Sequence, residues 1–354
     1  MVYTIRKQFN YYRLDIQQLR KDLRQIIFEA KPNKNICVVL DDISEDSKYT
    51  ESDDQHWALV DKEFKTHNIS YCIVTNVRNK NYKFPCNNVA FSGVQLMTYY
   101  HQYYGKNKNK ISDQWNYNSG RGLYIPGKIE RFSRTVLMYE LYKNSMLSYI
   151  DWSYIVSPRS KQVIRQELLH HLTEDEFENF ISHCHKSLDI DPMDPHRSSF
   201  TKNLDFIVSS PWPYDPKIYS NTSFSIVSET AFYSATLTEK TFRPILNKHP
   251  FIILGCINTL KSLDELGFKT FREYLPIDYD SIVDDYERLR AVISCIQYFK
   301  DNYSKYINDI QLDLEHNFNR FNEMVKEDIT QIESILPKEV DPRTQFDWTY
   351  IRHC

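Results

Sequence analysis

Short apolar runs alternate with amphipathic segments in the first part of the chain. Three continuous apolar runs are typical of strands buried on both faces, at residues 36–40, 70–74 and 88–91. Helical spacing of apolar residues predicts helices at about 12–30, 55–65 and 94–104. Strands that alternate with helices of this length indicate βαβ units, so we expect a parallel sheet.

The same alternation resumes after residue 121. The pattern predicts strands at 122–125, 149–156, 224–228 and 250–254. It predicts helices at 131–147, 238–247, 260–266, 281–299 and 301–335. Residues 159–210 interrupt the alternation and predict a helical insertion, whose clearest helix lies around 170–188.

A polar segment separates the two regions. Residues 105–120 are rich in Asn and Lys and are bounded by glycine, which is typical of a linker. We therefore predict an α/β protein with two Rossmann-like parallel-sheet domains, at 1–118 and 119–338, the second carrying the helical insertion. Residues 339–354 are expected to pack back on the first domain. The carboxyl ends of the strands would face a cleft between the domains, where open α/β sheets bind ligands.

Composition excludes several classes of protein. The 7 glycines among 354 residues include no glycine-rich phosphate loop, and the 7 cysteines include no CxxC pair, so we expect reduced core thiols. The charged amino terminus and the absence of any long apolar run predict a soluble, cytoplasmic protein without a transmembrane segment. Residues 1–125 hold 18 Lys and Arg against 13 Asp and Glu, a net charge of +5, while the remainder carries −8. That front half permits an anionic partner without requiring one.

The segment 224–255 carries the most informative candidate chemistry. Glu229 ends a predicted strand, and Thr238 stands at the N-cap of the next helix with Glu239 and Lys240 in the first turn. A helix amino terminus with a lysine would hold a diphosphate, and the two glutamates could accept hydrogen bonds from ribose or sugar hydroxyls. The alternative is ordinary helix punctuation, because threonine caps followed by acids are common.

This segment resembles the donor-binding element of GT-B glycosyltransferases, especially the fucosyltransferase-like and exostosin-like families. The matching residues are Glu229, Thr238, Glu239, Lys240, Arg243 and Pro244, followed by the strand at 250–252. Residues 124–134 are similar to the strand, loop and Arg-bearing helix that open such domains, and the resemblance extends over about 121–320. It implies a GT-B fold and a metal-independent hexosyltransferase that needs no cofactor and takes a UDP- or GDP-sugar as its donor.

Three cations near the start of the helix at 131–147 are further donor-binding candidates. Lys128, Arg131 and Arg134 are about three residues apart, so the two arginines share one helix face. Guanidinium groups there would suit a pyrophosphate leaving group, which gains charge as the sugar–phosphate bond breaks. A solvated basic helix face is the alternative.

Candidate catalytic acids follow the strand at 36–40. Transfer to a hydroxyl needs a base, and Asp42, with Glu45 next, would lie at the carboxyl edge of that strand. Tandem acids could also bind Mg²⁺, but the resemblance implies no catalytic metal. A cluster of potential zinc ligands could bind the ion only with help from a second element, so a polar helix face is preferred; its members are His170, His171, His183, Cys184 and His185.

The resulting hypothesis is a glycosyltransferase that acts on an acceptor hydroxyl. The acceptor is a glycan or, in a phage or viral setting, a hydroxymethylated DNA base. A non-catalytic nucleotide- or sugar-binding protein is the alternative from another class. A Mg²⁺-dependent nuclease fits less well, because Glu239 and Lys240 lack the one-residue gap of an ExK motif.

Overall fold

The computed structural model describes the chain over a series of segments. These are residues 2–6, 20–21, 24–25, 37–42, 51–67, 69–75, 89–91, 115–126, 132–154, 156, 158–168, 172–185, 217–229 and 237–335. The chain divides into two compact units, Met1–Gly105 together with Asn322–Cys354, and Lys106–Phe321. Each unit contains one parallel sheet, so the protein is of the mixed α/β class.

The first unit holds a four-stranded sheet in the order β1-β2-β3-β4. Its strands are β1 (Val2–Arg6), β2 (Cys37–Asp42), β3 (Ser70–Thr75) and β4 (Val89–Phe91). Helix α1 (Glu51–Thr66) connects β2 to β3, which confirms the predicted βαβ unit. Strand β1 was not predicted, because its short alternating sequence lacks the continuous apolar run of the other strands.

The second unit holds a four-stranded parallel sheet in the order β6-β5-β7-β8. Its strands are β5 (Gly122–Tyr124), β6 (Ile150–Trp152), β7 (Phe224–Ser228) and β8 (Phe251–Leu254). All residues of β5, β7 and β8 are buried, as is typical of parallel strands covered on both faces. Gly122 is required by packing, since a Cβ there would lie 2.8 Å from the Phe224 ring.

Eight described α-helices follow β5 along the chain. They are α2 (Phe132–Lys143), α3 (Pro158–Leu168), α4 (Glu174–Cys184), α5 (Lys217–Ser220), α6 (Glu239–Leu246), α7 (Thr259–Glu265), α8 (Asp285–Asn302) and α9 (Ile307–Ile335). Phe224 of β7 packs edge-on against Phe299 of α8, with ring centroids 5.6 Å apart. The predicted helical insertion begins with α3 and α4, and residues 186–216 lie outside the described residues.

Several predicted elements are shorter in the structure; the strand predicted at 149–156, for example, is limited to Ile150–Trp152. The helix predicted to reach 147 ends at Lys143, because Ser145 adopts a left-handed conformation with φ 57 that a helix cannot continue through. The long helix predicted from 301 begins at Ile307, after a 3₁₀ turn at Tyr303–Tyr306. The other predicted strands and helices of the described second unit agree with the structure to within a few residues.

The segment predicted as a linker is partly built into the second unit. Trp115 is buried, and its indole N–H donates to the Ser223 carbonyl over 2.6 Å. The boundaries between the two compact units accordingly follow Gly105 and precede Asn322, which lies within α9. The boundaries predicted from the sequence are at 118 and 338. The tail at 339–354 lies outside the described residues.

Candidate functional site

Polar side chains are buried at the carboxyl edge of the second sheet. Tyr124 ends β5 and Ser228 ends β7, and both side chains are almost fully enclosed. Glu229 follows β7 and remains in register with the neighbouring strand, since its N–H donates to the Leu254 carbonyl over 2.9 Å. Burial of polar groups is unfavourable unless they are hydrogen-bonded, so their partners define what this edge can do.

The Glu229 carboxylate is bound to the start of α6. Its Oε1 accepts from the Thr238 backbone N–H over 2.9 Å and from the Thr241 hydroxyl over 2.5 Å. Its Oε2 accepts from the Thr238 hydroxyl over 2.6 Å. Glu229 is only 2% exposed, and both threonines are fully buried. A negative charge at a helix amino terminus is stabilising, so this contact fixes the helix start to the end of β7.

Lys240 lies beside the same contact. Thr238 is the N-cap of α6, and its hydroxyl accepts from the Lys240 backbone N–H over 3.3 Å. The Lys240 ammonium lies 3.4 Å from the same oxygen, and the residue is half-buried. The structure therefore brings Glu229, Thr238 and Lys240 together, as the segment predicts, and places a cation at the carboxyl edge of the sheet.

Arg134 lies in the first turn of α2 and is only 2% exposed. The Tyr124 hydroxyl donates to the Arg134 carbonyl over 3.3 Å and lies 3.2 Å from the Ser228 hydroxyl. Burial raises the pKa of Tyr124, and the Ser228 hydrogen bond and the Arg134 charge oppose that rise. These contacts attach α2 to the end of β7. The predicted contact of Arg134 with a pyrophosphate stays a prediction.

Arg243 lies in α6, and its charge acts on Tyr219. Its charge lowers the pKa of Tyr219, which burial raises to about 12. Tyr219 precedes β7 and packs edge-on against His249, which precedes β8, with ring centroids 5.4 Å apart. The predicted contact of Arg243 with the donor stays a prediction.

The remaining predicted site residues are described in part or not at all. Asp42 is the last residue of β2, so a carboxyl-edge position is confirmed for its backbone. Glu239 begins α6, but its side chain lies outside the described residues. Glu45, Lys128 and Arg131 lie outside them altogether.

Three residues of this edge have no role predicted from the sequence. Tyr124, Ser228 and Thr241 supply the hydroxyls that connect β5, β7, α2 and α6. Tyr124 and Ser228 each end a strand that is otherwise mostly apolar. A polar residue at the end of such a strand is the signal by which the sequence could have identified them. Thr241 carries no comparable signal, because threonine in a first helical turn is unremarkable in sequence.

The described residues hold no group of three or more His, Cys, Asp or Glu side chains that could bind a metal ion. His183 instead packs on Trp152 and Tyr142, and the His185 ring accepts from the Val156 N–H over 3.1 Å. His170 and His171 lie outside the described residues. The helices within the described ranges include none that is long and apolar enough to cross a membrane.

Comparisons with known proteins give little further information. No protein-family model matches the chain, and no curated protein matches it significantly. Among solved structures, the pneumococcal O-GlcNAc transferase GtfA, in complex with UDP and GlcNAc, shares 10% identity with a TM-score of 0.42. The match covers 90% of this chain and 59% of that chain. A similarity of this extent is too slight to assign an activity.

Proposed function

We propose that the chain is a GT-B-type glycosyltransferase that transfers a sugar from a nucleotide-sugar donor to an acceptor hydroxyl. The observation that carries the proposal is the Lys240 ammonium beside Thr238, at the carboxyl edge of a parallel sheet. Ligands of open α/β sheets bind outside this edge, and a lysine there supplies positive charge for phosphate oxygens without a glycine loop.

The donor would be a UDP- or GDP-sugar, as the resemblance implies. In this proposal Lys240 binds the diphosphate and stabilises the charge that develops on the leaving group. Lys128 and Arg131 contribute further positive charge, and Glu239 accepts from ribose or sugar hydroxyls. The chemistry requires no metal in this proposal, because cationic side chains take the place that a divalent ion occupies in metal-dependent enzymes.

The acceptor hydroxyl would be deprotonated by Asp42, with Glu45 as the second candidate base. A glycan and a hydroxymethylated DNA base are both acceptors of the required chemistry. Salt dependence distinguishes them, because each neutralised DNA phosphate releases counterions. A steep loss of acceptor affinity with added salt supports DNA, and a flat response supports a neutral glycan.

A thermal-shift panel of GDP-, UDP- and dTDP-sugars, with and without Mg²⁺, tests the donor site. A ligand that binds only the folded protein raises its unfolding temperature by mass action, so we expect a metal-independent shift with one nucleotide. No shift with any donor would refute the proposal. Release of nucleoside diphosphate in the presence of acceptor then separates a transferase from a non-catalytic binding protein.

Lys240→Ala is the matching variant. Loss of a charge-assisted contact should weaken donor binding by about 10- to 100-fold with the fold intact. Lys143→Ala is the control, because Lys143 is an exposed lysine in the last turn of α2. Equal donor affinities of the two variants would contradict the role given to Lys240.

A further inference from the structure

The amino terminus of α6 is already occupied by a protein anion. The Thr238 N–H and the hydroxyls of Thr238 and Thr241 all donate to Glu229. Two backbone N–H groups of the first turn also donate within the protein. The Lys240 N–H donates to the Thr238 hydroxyl, and the Thr241 N–H donates to the Thr238 carbonyl. The N–H groups of Thr238, Lys240 and Thr241, which a phosphate at this helix start would need, are therefore used within the protein.

The buried charge changes what a ligand meets at this edge. Reorienting Glu229 has a high free-energy cost, because it would leave a buried N–H and two buried hydroxyls without an acceptor. An anionic ligand near α6 therefore meets a fixed negative charge in a region of low dielectric, where like charges repel more strongly than in water. The positive charge of Lys240 lies at this position and offsets the repulsion.

We propose that Glu229 is a positioning residue and not a ligand of ribose or sugar. It fixes the start of α6, and it leaves the diphosphate to the Lys240 side chain instead of the helix N–H groups. This inference rests on the proposed donor site. It makes the site selective by charge, because each further negative charge on the ligand is repelled by the same carboxylate.

Charge selectivity has a consequence for turnover. A free nucleoside diphosphate carries an additional ionised oxygen on its terminal phosphate at neutral pH, since the second pKa of a phosphate is about 6. A nucleotide sugar lacks that ionisation because the sugar esterifies the oxygen. Glu229 therefore disfavours the released nucleoside diphosphate more than the donor and promotes its departure after transfer.

Glu229→Gln tests the inference because it removes the charge and keeps the shape of the side chain. Calorimetric titration compares inorganic pyrophosphate, the nucleoside diphosphate selected by the donor panel, its nucleotide sugar and the bare nucleoside. We expect Glu229→Gln to bind pyrophosphate and the nucleoside diphosphate about tenfold more tightly than the wild type does. A change of this order is expected when the repulsion between two like charges is removed. The nucleotide sugar should gain less, and the nucleoside should not change.

A role as a ribose ligand gives the opposite result. The nucleoside and the nucleoside diphosphate would both bind more weakly to Glu229→Gln, and pyrophosphate would be unaffected. That outcome, or unchanged affinity for pyrophosphate, overturns the inference while the proposed function stands. A wild-type protein that binds no nucleotide sugar overturns the proposed function itself.

Thr241→Val is the matched control for loosening of the helix. It removes one of the three donors to Glu229 but leaves the negative charge in place. We expect a lower unfolding midpoint than the wild type and no gain in pyrophosphate affinity. A gain equal to that of Glu229→Gln would attribute the effect to mobility of α6 and would overturn the role of the charge.

Discussion

His249 should make the stability of the second unit depend on pH. The ring is 1% exposed and lies where β7 and β8 begin. Its Nδ1 lies 2.7 Å from the Ser225 hydroxyl, and its Nε2 lies 2.9 Å from the Thr222 carbonyl. A carbonyl only accepts, so Nε2 carries the proton and Nδ1 accepts from Ser225. This neutral tautomer satisfies both ring nitrogens.

The magnitude follows from the pKa of this ring. Burial lowers the pKa of His249 from 6.5 to about 4, and the hydrogen bond to Thr222 opposes that shift only in part. In the unfolded chain His249 therefore binds a proton below pH 6.5, whereas in the folded protein it binds one only below about pH 4. At about 1.4 kcal/mol per pKa unit, roughly 3 kcal/mol of stability is lost as pH falls through this window.

Urea unfolding at several pH values measures the effect. Between pH 7.5 and pH 5 the free energy of unfolding should fall by about 2 kcal/mol because of His249, and His249→Gln should lack this part of the fall. The acids whose pKa is lowered, such as Glu176 and Asp301, titrate below this range and affect both proteins equally. Equal slopes for the wild type and His249→Gln would refute the reasoning.

Three further substitutions test the packing of the second sheet. Gly122→Ala should cost about 1–3 kcal/mol of unfolding free energy, because the new Cβ would lie 2.8 Å from the Phe224 ring; an unchanged urea midpoint would contradict this. Arg288→Leu should lower the free energy of unfolding by at least ~2 kcal/mol, since three backbone carbonyls lose their guanidinium donor. A variant as stable as the wild type would show that water replaces the guanidinium. Tyr279→Phe should cost about 1–3 kcal/mol and speed hydrogen exchange of the Ile253 amide, whose N–H donates to the Tyr279 hydroxyl; unaltered exchange would argue against that bond.

The alternation of apolar runs and amphipathic segments determined most elements of both sheets. Strands β2, β3 and β8 contain continuous apolar runs, and all residues of β7 and β8 are buried. The same pattern could not reveal β1, whose pairing with β2 supplies the stability that its own sequence does not indicate.

The sequence also identified the Glu229, Thr238 and Lys240 grouping, because a strand end and a helix cap are local signals. It could not determine the direction of the side chains. Hydrogen bonding turns Glu229 inward onto Thr238 and Thr241, whereas the spacing of the glutamates suggested a carboxylate open to ligand. The outcome depends on two threonine hydroxyls reaching one carboxylate, and that is a property of three-dimensional packing.

Arg134 and Trp115 illustrate the same division between sequence and tertiary structure. A basic residue near a helix start and an aromatic residue in a polar segment both read as surface features in sequence. In the structure Arg134 is buried and its carbonyl accepts from the Tyr124 hydroxyl, and the Trp115 indole N–H donates to the Ser223 carbonyl. Local patterns determined which segments form strands and helices, whereas burial and hydrogen-bond partners depend on contacts between residues far apart in the chain.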